Sequence, residues 1–172
     1  EPFFVDQYGN PSSLHQYGRW NRAAVEEARD RVAELIGAKP GEIIFTSGGT
    51  ESDNMVIKGI CFSNMEDRGH FITTAVEHKA VLESVKFAEK LGFEATNLGV
   101  DENGNVDPGE LEDAIRDDTL LVSIMMANNE VGTVEPVDEL AKISHDRGIP
   151  FHTDAVQCFG KIPVDVSELG VD

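Results

Sequence analysis

The stretch of residues 70–98 reads HFITTAVEHKAVLESVKFAEKLGFEATNL and decides the fold that the sequence predicts. His70–Val76 and Phe93–Leu98 are largely apolar runs of strand length. Between them, His78–Leu91 repeats apolar side chains at helical spacing and is followed by a glycine, which is a typical helix end. A strand, a helix and a second strand in this order predict two parallel strands joined by a crossover helix.

The same alternation continues on both sides of this stretch. We predict further strands at Ile43–Thr46, Thr119–Met126 and Ile149–Thr153, and further helices at Trp20–Ile36, Glu51–Ser63, after the cap Asp107-Pro108, and at Pro136–Asp146. The pattern predicts an α/β fold with a mostly parallel sheet. Ligands of such sheets bind beyond the carboxyl ends of the strands.

Charge and composition exclude several classes of function. Of the 172 residues, 40% are hydrophobic, enough for the core of one domain or of a large part of one. Lys and Arg number 14 against 32 Asp and Glu, a net charge of −18, which argues against nucleic-acid partners and anionic membrane surfaces. The excess acid indicates either an ordinary soluble, self-repelling surface or adaptation to high salt.

The cysteines and the first residue of the sequence give information about the cellular compartment of the protein. Cys61 and Cys158 are far apart and form no pattern typical of a disulfide framework or a zinc site, which favours a reducing cytoplasm. No apolar run is long enough for a membrane span, and no signal peptide is recognisable. Because the sequence opens with Glu1 rather than Met, we expect the native start to lie upstream.

Two polar segments follow predicted strands in the first half of the chain. Thr46–Glu51 is rich in glycine and opens a helix, so its backbone N–H groups and hydroxyls suit a phosphate; a simple tight turn with a helix cap is the alternative. His78 opens the next helix, where its ring suits an aromatic platform and proton carrier beside a cofactor; a surface histidine is the alternative.

Two more polar segments follow strands in the second half. The amides of Asn128 and Asn129 indicate either a ligand-positioning pair or an Asx turn closed by a glycine. Asp154 ends a buried strand, where a carboxylate is costly unless it meets a cation, such as a protonated pyridine nitrogen, or serves as a cap or salt-bridge partner. Together the four segments predict a site for a flat, phosphorylated, cationic heterocycle.

Five segments carry a resemblance to a known family: Tyr8–His15, Phe45–Asn54, Glu77–Ala80, Asn128–Gly132 and Asp154–Gln157. Together they resemble the cysteine desulfurases, fold-type I pyridoxal-phosphate enzymes of the aminotransferase class V group, in the branch that serves nitrogenase and iron–sulfur assembly. The resemblance implies an α/β three-layer sandwich with a mostly parallel sheet, in which residues 1–172 are part of the cofactor-binding large domain. The Schiff-base lysine, the loop with the catalytic cysteine and the small domain are expected beyond Asp172.

The resemblance also implies residue roles. Gly49 and Thr50 would bind the phosphate of pyridoxal 5'-phosphate, and His78 would stack on its ring and move protons. Asn129 would contact the ring hydroxyl side and the substrate, Asp154 would pair with the pyridinium nitrogen, and Gln157 would bond the phenolic oxygen. No metal is expected, and Lys161, Cys61 and Cys158 match neither of the family's nucleophiles.

The reaction implied for the complete protein converts L-cysteine to L-alanine and passes the sulfur, as an enzyme persulfide, to an iron–sulfur scaffold or another acceptor protein. A homodimer is expected, and residues 1–172 alone are expected to be inactive because both nucleophiles lie outside them. Three alternatives remain open: another class V enzyme such as a selenocysteine lyase or an aminotransferase, a non-catalytic scaffold relative, and a plain nucleotide-binding domain.

Overall fold

The computed structural model describes residues 2–172, which form two compact units. The first unit, up to Phe45, contains α1 (Pro2–Val5), α2 (Gln16–Leu35) and a 3-10 turn (Pro40–Glu42). The second unit, Thr46–Asp172, contains α3 (Gly49–Ser63), β1 (His70–Thr74), α4 (Lys79–Lys90), β2 (Glu94–Leu98), α5 (Pro108–Ala114), β3 (Thr119–Ser123), α6 (Val137–Asp146), β4 (Phe151–His152) and α7 (Val166–Leu169). Among the described helices, none combines the length and the apolar character that a membrane crossing requires.

The strand–helix–strand unit predicted from residues 70–98 is confirmed. β1 pairs in parallel with β2, in a register that runs from His70 opposite Glu94 to Thr74 opposite Leu98. β3 lies on the other side of β1, and β4 follows it, so the sheet has the order β2-β1-β3-β4 with every pair parallel. All five residues of β1 are buried, as expected for a central strand covered on both faces.

The second unit has three layers, because alternate residues of each strand point to opposite faces of the sheet. Phe71 and Leu121 pack on one face with buried side chains of α3 and α4. Ile72 and Val122 pack on the other face with buried side chains of α5 and α6. The α/β sandwich with a parallel sheet is therefore as predicted.

The predicted strand at Ile43–Thr46 is wrong, since these residues form no strand. A strand needs a neighbour for its backbone hydrogen bonds, and none of the strands in the described part of the chain pairs with this segment. Within the first unit, Arg29 of α2 binds the segment instead: Nη1 donates to the carbonyl oxygen of Ile43, and the guanidinium lies 5.1 Å from the ring centroid of Phe45.

Two predicted strands are shorter than expected. The run Thr119–Met126 is a strand only to Ser123, and the last strand contains only Phe151–His152. The chains nevertheless stay paired beyond these ends, because Ile124 N donates to the His152 carbonyl at 3.1 Å and Met126 N donates to the Asp154 carbonyl at 3.0 Å. Asp154 therefore lies just past the carboxyl end of the sheet.

Helix boundaries differ by a few residues from the prediction. α2 begins at Gln16 rather than Trp20, because Nδ1 of His15 accepts a hydrogen bond from Gly18 N and caps the helix there. The predicted cap of α5 is confirmed: Asp107 Oδ1 accepts from Gly109 N at 2.8 Å, and Pro108 is the first helical residue.

Candidate functional site

A pocket of about 300 Å³ opens beyond the carboxyl ends of the central strands. It is lined by Gly49, Thr50, Asp53, His78, Met125, Asn129, Asp154, Val156 and Gln157. The six residues predicted from the sequence are all among them, although they come from four separate segments. The parallel topology explains this convergence, because it places the ends of β1, β3 and β4 at one edge of the sheet.

The glycine-rich turn before α3 presents free backbone donors. Gly48 provides no side-chain cap, and its carbonyl oxygen accepts from Glu51 N and Ser52 N at 3.0 and 3.2 Å. Within the described residues, the backbone N–H groups of Gly49 and Thr50 make no hydrogen bond. A helix start with unused N–H groups is a site for an anion.

Gly49 is also required by packing. A Cβ atom added at this position would lie 2.7 Å from Cγ2 of Val156, which belongs to the turn after β4. The two turns on either side of the pocket therefore touch at a glycine. A larger residue would push them apart at the place where the anion site lies.

Asp154 is 9% exposed at the base of the pocket. Its Oδ1 accepts a hydrogen bond from Val156 N at 2.9 Å, which fixes the orientation of the carboxylate. Three residues after Asp154, Oε1 of Gln157 accepts from Lys161 Nζ at 2.9 Å, so the amide nitrogen of Gln157 is left as a donor. Lys161 itself is exposed, as the sequence indicated.

His78 caps α4 and lies at the rim of the pocket. Its Nδ1 accepts a hydrogen bond from Ala80 N at 3.1 Å, so in the neutral ring the proton is on Nε2. The ring is exposed. The exposure agrees with the alternative of a surface histidine, and contact of Nε2 with a cofactor stays a prediction.

The two asparagines after β3 have different surroundings. Asn128 is half-buried: its Nδ2 donates to the Val76 carbonyl at 2.9 Å, and its Oδ1 accepts from Glu130 N and Val131 N. It therefore forms the Asx turn that was one alternative. Asn129 is exposed and lines the pocket, and its contact with a ligand stays a prediction.

A buried acid links the ends of β1 and β3. Oε1 of Glu77 accepts from Thr74 Oγ1 at 2.9 Å and from Met125 N at 2.8 Å, while Oε2 is buried without a partner among the described residues. Burial raises the pKa of Glu77 to about 8, against the lowering effect of these two hydrogen bonds. Glu77 is therefore a neutral acid at neutral pH, and it holds its neighbour His78 beside the Met125 segment.

Asp53 lines the pocket, and we did not predict it from the sequence. It lies four residues after Gly49 on α3, so both residues share one helix face. That spacing was the only signal in the sequence, and it carries no chemistry by itself. Burial first, then the charge of Asp154, raises the pKa of Asp53 to about 6.

The two cysteines have no place in the pocket. Cys61 belongs to the core between α3 and the sheet, and Cys158 is buried in the core on the opposite face. Burial raises the pKa of both thiols, which leaves them protonated and unreactive at neutral pH.

Known proteins resemble the chain over its full length. It is 59% identical over 172 residues to a cysteine desulfurase IscS of Dictyoglomus turgidum and 50% identical over 171 residues to that of Methanosarcina thermophila. The matches cover 100% and 99% of this chain but 44% and 42% of the relatives, so the chain spans less than half of their length.

A solved structure of SspA in complex with cysteine superposes on the chain with a TM-score of 0.98 at 40% sequence identity. The superposition covers 100% of this chain and 50% of the SspA chain. The chain therefore shares its fold with this solved structure.

A family model described as aminotransferase class-V matches residues 1–172. This family is the one that the five sequence segments indicated, and it leaves no room for the alternative of a plain nucleotide-binding domain. The chain belongs to the aminotransferase class-V family.

Proposed function

We propose that residues 1–172 supply the cofactor pocket of a pyridoxal-phosphate-dependent cysteine desulfurase, as part of its large domain. One observation carries the proposal: the free N–H groups of Gly49 and Thr50 and the carboxylate of Asp154 line a single small pocket. The pocket thus offers N–H donors to an anionic group and a buried carboxylate to a cationic group. This combination suits a molecule with a phosphate and a cationic ring. The sequence identity with proteins named cysteine desulfurase supports this activity over the other activities of the family.

The residues present fit pyridoxal 5'-phosphate. The α3 turn offers backbone N–H groups and the Thr50 hydroxyl to the phosphate, and a pocket of about 300 Å³ is within the size range of small-ligand sites. Asp154 has one oxygen held by Val156 N, which leaves the other for a pyridinium N–H. Gln157 has a free amide donor for the phenolic oxygen, and Asn129 lies on the pocket wall for the ring hydroxyl side and the substrate.

The cofactor, when bound, supplies an electron sink for the bond that breaks at the substrate α-carbon. Asp154 stabilises the positive charge on which that sink depends, because a buried carboxylate prefers a charged partner to an unpaired state. His78, held by its bond to Ala80 N, offers its ring face for stacking and its Nε2 for proton exchange. The Gly49 turn anchors the phosphate and thereby fixes the ring between these groups.

The substrate, partners and location belong to the same proposal. We assign L-cysteine as the substrate, which the SspA complex with cysteine supports, and L-alanine and a transferable sulfur as the products. The acceptor would be an iron–sulfur scaffold or another sulfur-acceptor protein, and the protein would act as a homodimer. Two free cysteines, both buried and unpaired with each other, agree with a reducing cytoplasm.

The test is alanine release from L-cysteine by the complete protein loaded with pyridoxal 5'-phosphate. Asp154→Asn keeps an oxygen for Val156 N but removes the charge, so we expect the rate to fall roughly 10²-fold while the cofactor stays bound through its phosphate. Glu83→Gln is the matched control, because Glu83 is exposed, bonds Lys86 and does not line the pocket. Release of alanine at an unchanged rate by Asp154→Asn would refute the assignment.

A further inference from the structure

Asp53 is a second carboxyl group at the same pocket, and none of the roles above uses it. Its residue is 3% exposed, and it lines the pocket together with Asp154. Its Oδ2 is buried and has no hydrogen-bond partner among the described residues. A buried carboxylate oxygen without a partner is costly, and this cost favours the protonated form of the carboxyl group.

The neighbours of Asp53 do not neutralise it. Nε2 of His152 lies 3.8 Å from Asp53 Oδ1, too far for a hydrogen bond, and Nδ1 of His152 is bonded to Ser123 Oγ at 2.8 Å. Burial lowers the pKa of His152, so this ring is neutral at neutral pH and forms no ion pair with Asp53.

The other titratable groups that face Asp53 are Asp154, His78 and Glu77. Asp154 raises the pKa of Asp53, after the larger effect of burial, and His78 lowers it. Glu77 is neutral because burial raises its pKa to about 8. Two carboxyl groups thus face one pocket with no fixed cation beside them among the described residues, and Asp53 consequently holds a proton below about pH 6.

We propose that Asp53 is a positioning residue for the cationic end of the cofactor, which under mildly acidic conditions holds a proton in the ligand-free protein and releases it to solvent when the cation binds beside Asp154. This inference rests on the proposed function. The bound cation stabilises the ionised form of Asp53, because it offsets the charge of Asp154 and offers Asp53 an opposite charge. Ionised Asp53 then adds to the field that keeps the ring charged.

Such coupling makes cofactor affinity depend on pH in a defined way. If binding lowers the pKa of Asp53 by one unit, the affinity gains about tenfold in total as the pH rises from well below the bound-state pKa to well above the ligand-free one. The ligand-free value is about 6, so the gain is complete above that pH. Asparagine has nearly the shape of the protonated acid but cannot ionise, so Asp53→Asn lacks this contribution.

The experiment is a spectral titration of the complete apoprotein with pyridoxal 5'-phosphate, at a series of pH values from about 4.5 to about 8, for wild type and Asp53→Asn. The ratio of the two affinities cancels the titration of the cofactor's own groups. We expect the ratio to be near one at the acidic end and to rise about tenfold or more by pH 7. The exposed control Glu83→Gln should give a ratio near one throughout.

Each outcome is decisive. A ratio that rises with pH supports the proton-release role. A ratio that is independent of pH, whether near one or far from it, shows that Asp53 is structural or irrelevant and overturns this inference alone. A wild-type protein that binds no pyridoxal 5'-phosphate at any pH overturns the proposed function and this inference with it.

Discussion

Buried acids dominate the chemistry of the pocket at the scale of single residues. Glu77, Asp53 and Asp154 are 6%, 3% and 9% exposed. Glu77 accepts from Thr74 and Met125, Asp154 accepts from Val156 N, and Oδ2 of Asp53 has no partner among the described residues. A carboxyl group removed from water either finds donors or keeps its proton. The strand ends supply donors for some of these oxygens, and the remaining oxygens are the ones a cation would meet.

Glu77 gives a prediction about stability. Its pKa in the folded protein is about 8, above the ordinary 4.5, so between these pH values the unfolded chain loses the proton and the folded protein keeps it. The free energy of unfolding therefore falls as pH rises through this window, by up to about 1.4 kcal/mol per pH unit. Glu77→Gln keeps an acceptor for Met125 N and removes the titration, so its Tm relative to wild type should increase from pH 5 to pH 8.

Thermal unfolding of the complete protein at several pH values measures this. Glu83→Gln serves as the control, since Glu83 is exposed and its bond to Lys86 lowers its pKa. A difference between Glu77→Gln and wild type that stays constant with pH would mean that Glu77 is ionised in the folded protein.

The sequence identified the pocket residues with recognisable chemistry, but not those whose importance comes from burial. Asp154 and His78 stand out because a polar residue directly follows an apolar strand. Asp53 looks like any acid in an amphipathic helix, and its burial depends on contacts with distant segments. Asn128 and Asn129 look equivalent in the sequence, and only the fold turns one toward Val76 and the other to the pocket.

At the scale of secondary-structure elements, close contact between two turns limits the size of the residue that position 49 tolerates. The turn before α3 meets the turn after β4 at Gly49, where an added Cβ would lie 2.7 Å from Val156 Cγ2. Gly49→Ala should therefore shift the N–H groups of the anion site and weaken pyridoxal 5'-phosphate binding about tenfold. Adding Val156→Ala removes the obstructing methyl and should restore part of the affinity.

Gly59→Ala is the matched control on the same helix. No atom lies within 4 Å of a Cβ added at Gly59, so this change should leave cofactor affinity unchanged and stabilise α3 by up to about 1 kcal/mol. Equilibrium titration with the cofactor and thermal unfolding report the two effects. If Gly49→Ala and Gly59→Ala bound pyridoxal 5'-phosphate equally well, the contact between residue 49 and Val156 would not limit cofactor binding.

Helices and strands with strong periodicity could be predicted, together with their order. Whether a predicted strand finds a partner strand could not always be predicted. Residues 70–98 contain a full strand–helix–strand pattern, and the structure confirms it. Ile43–Thr46 has the composition of a strand but lacks a neighbouring strand within the described residues, and composition alone cannot supply one.

At the scale of the whole molecule, the parallel sheet brings the segments of the pocket together. Its order β2-β1-β3-β4 brings segments more than 100 residues apart in sequence, from Gly49 to Gln157, to one edge. Helices on both faces bury the strands, and the pocket opens beyond their carboxyl ends. The family match over residues 1–172 agrees with this arrangement, and the proposed reaction places its cofactor there.

The most direct measurement is a crystal structure of the complete protein with pyridoxal 5'-phosphate. We predict phosphate oxygens within about 3 Å of the backbone nitrogens of Gly49 and Thr50, and the ring nitrogen within about 3 Å of the Asp154 carboxylate. A cofactor bound outside this pocket, or bound in it with the ring nitrogen facing away from Asp154, would contradict the account.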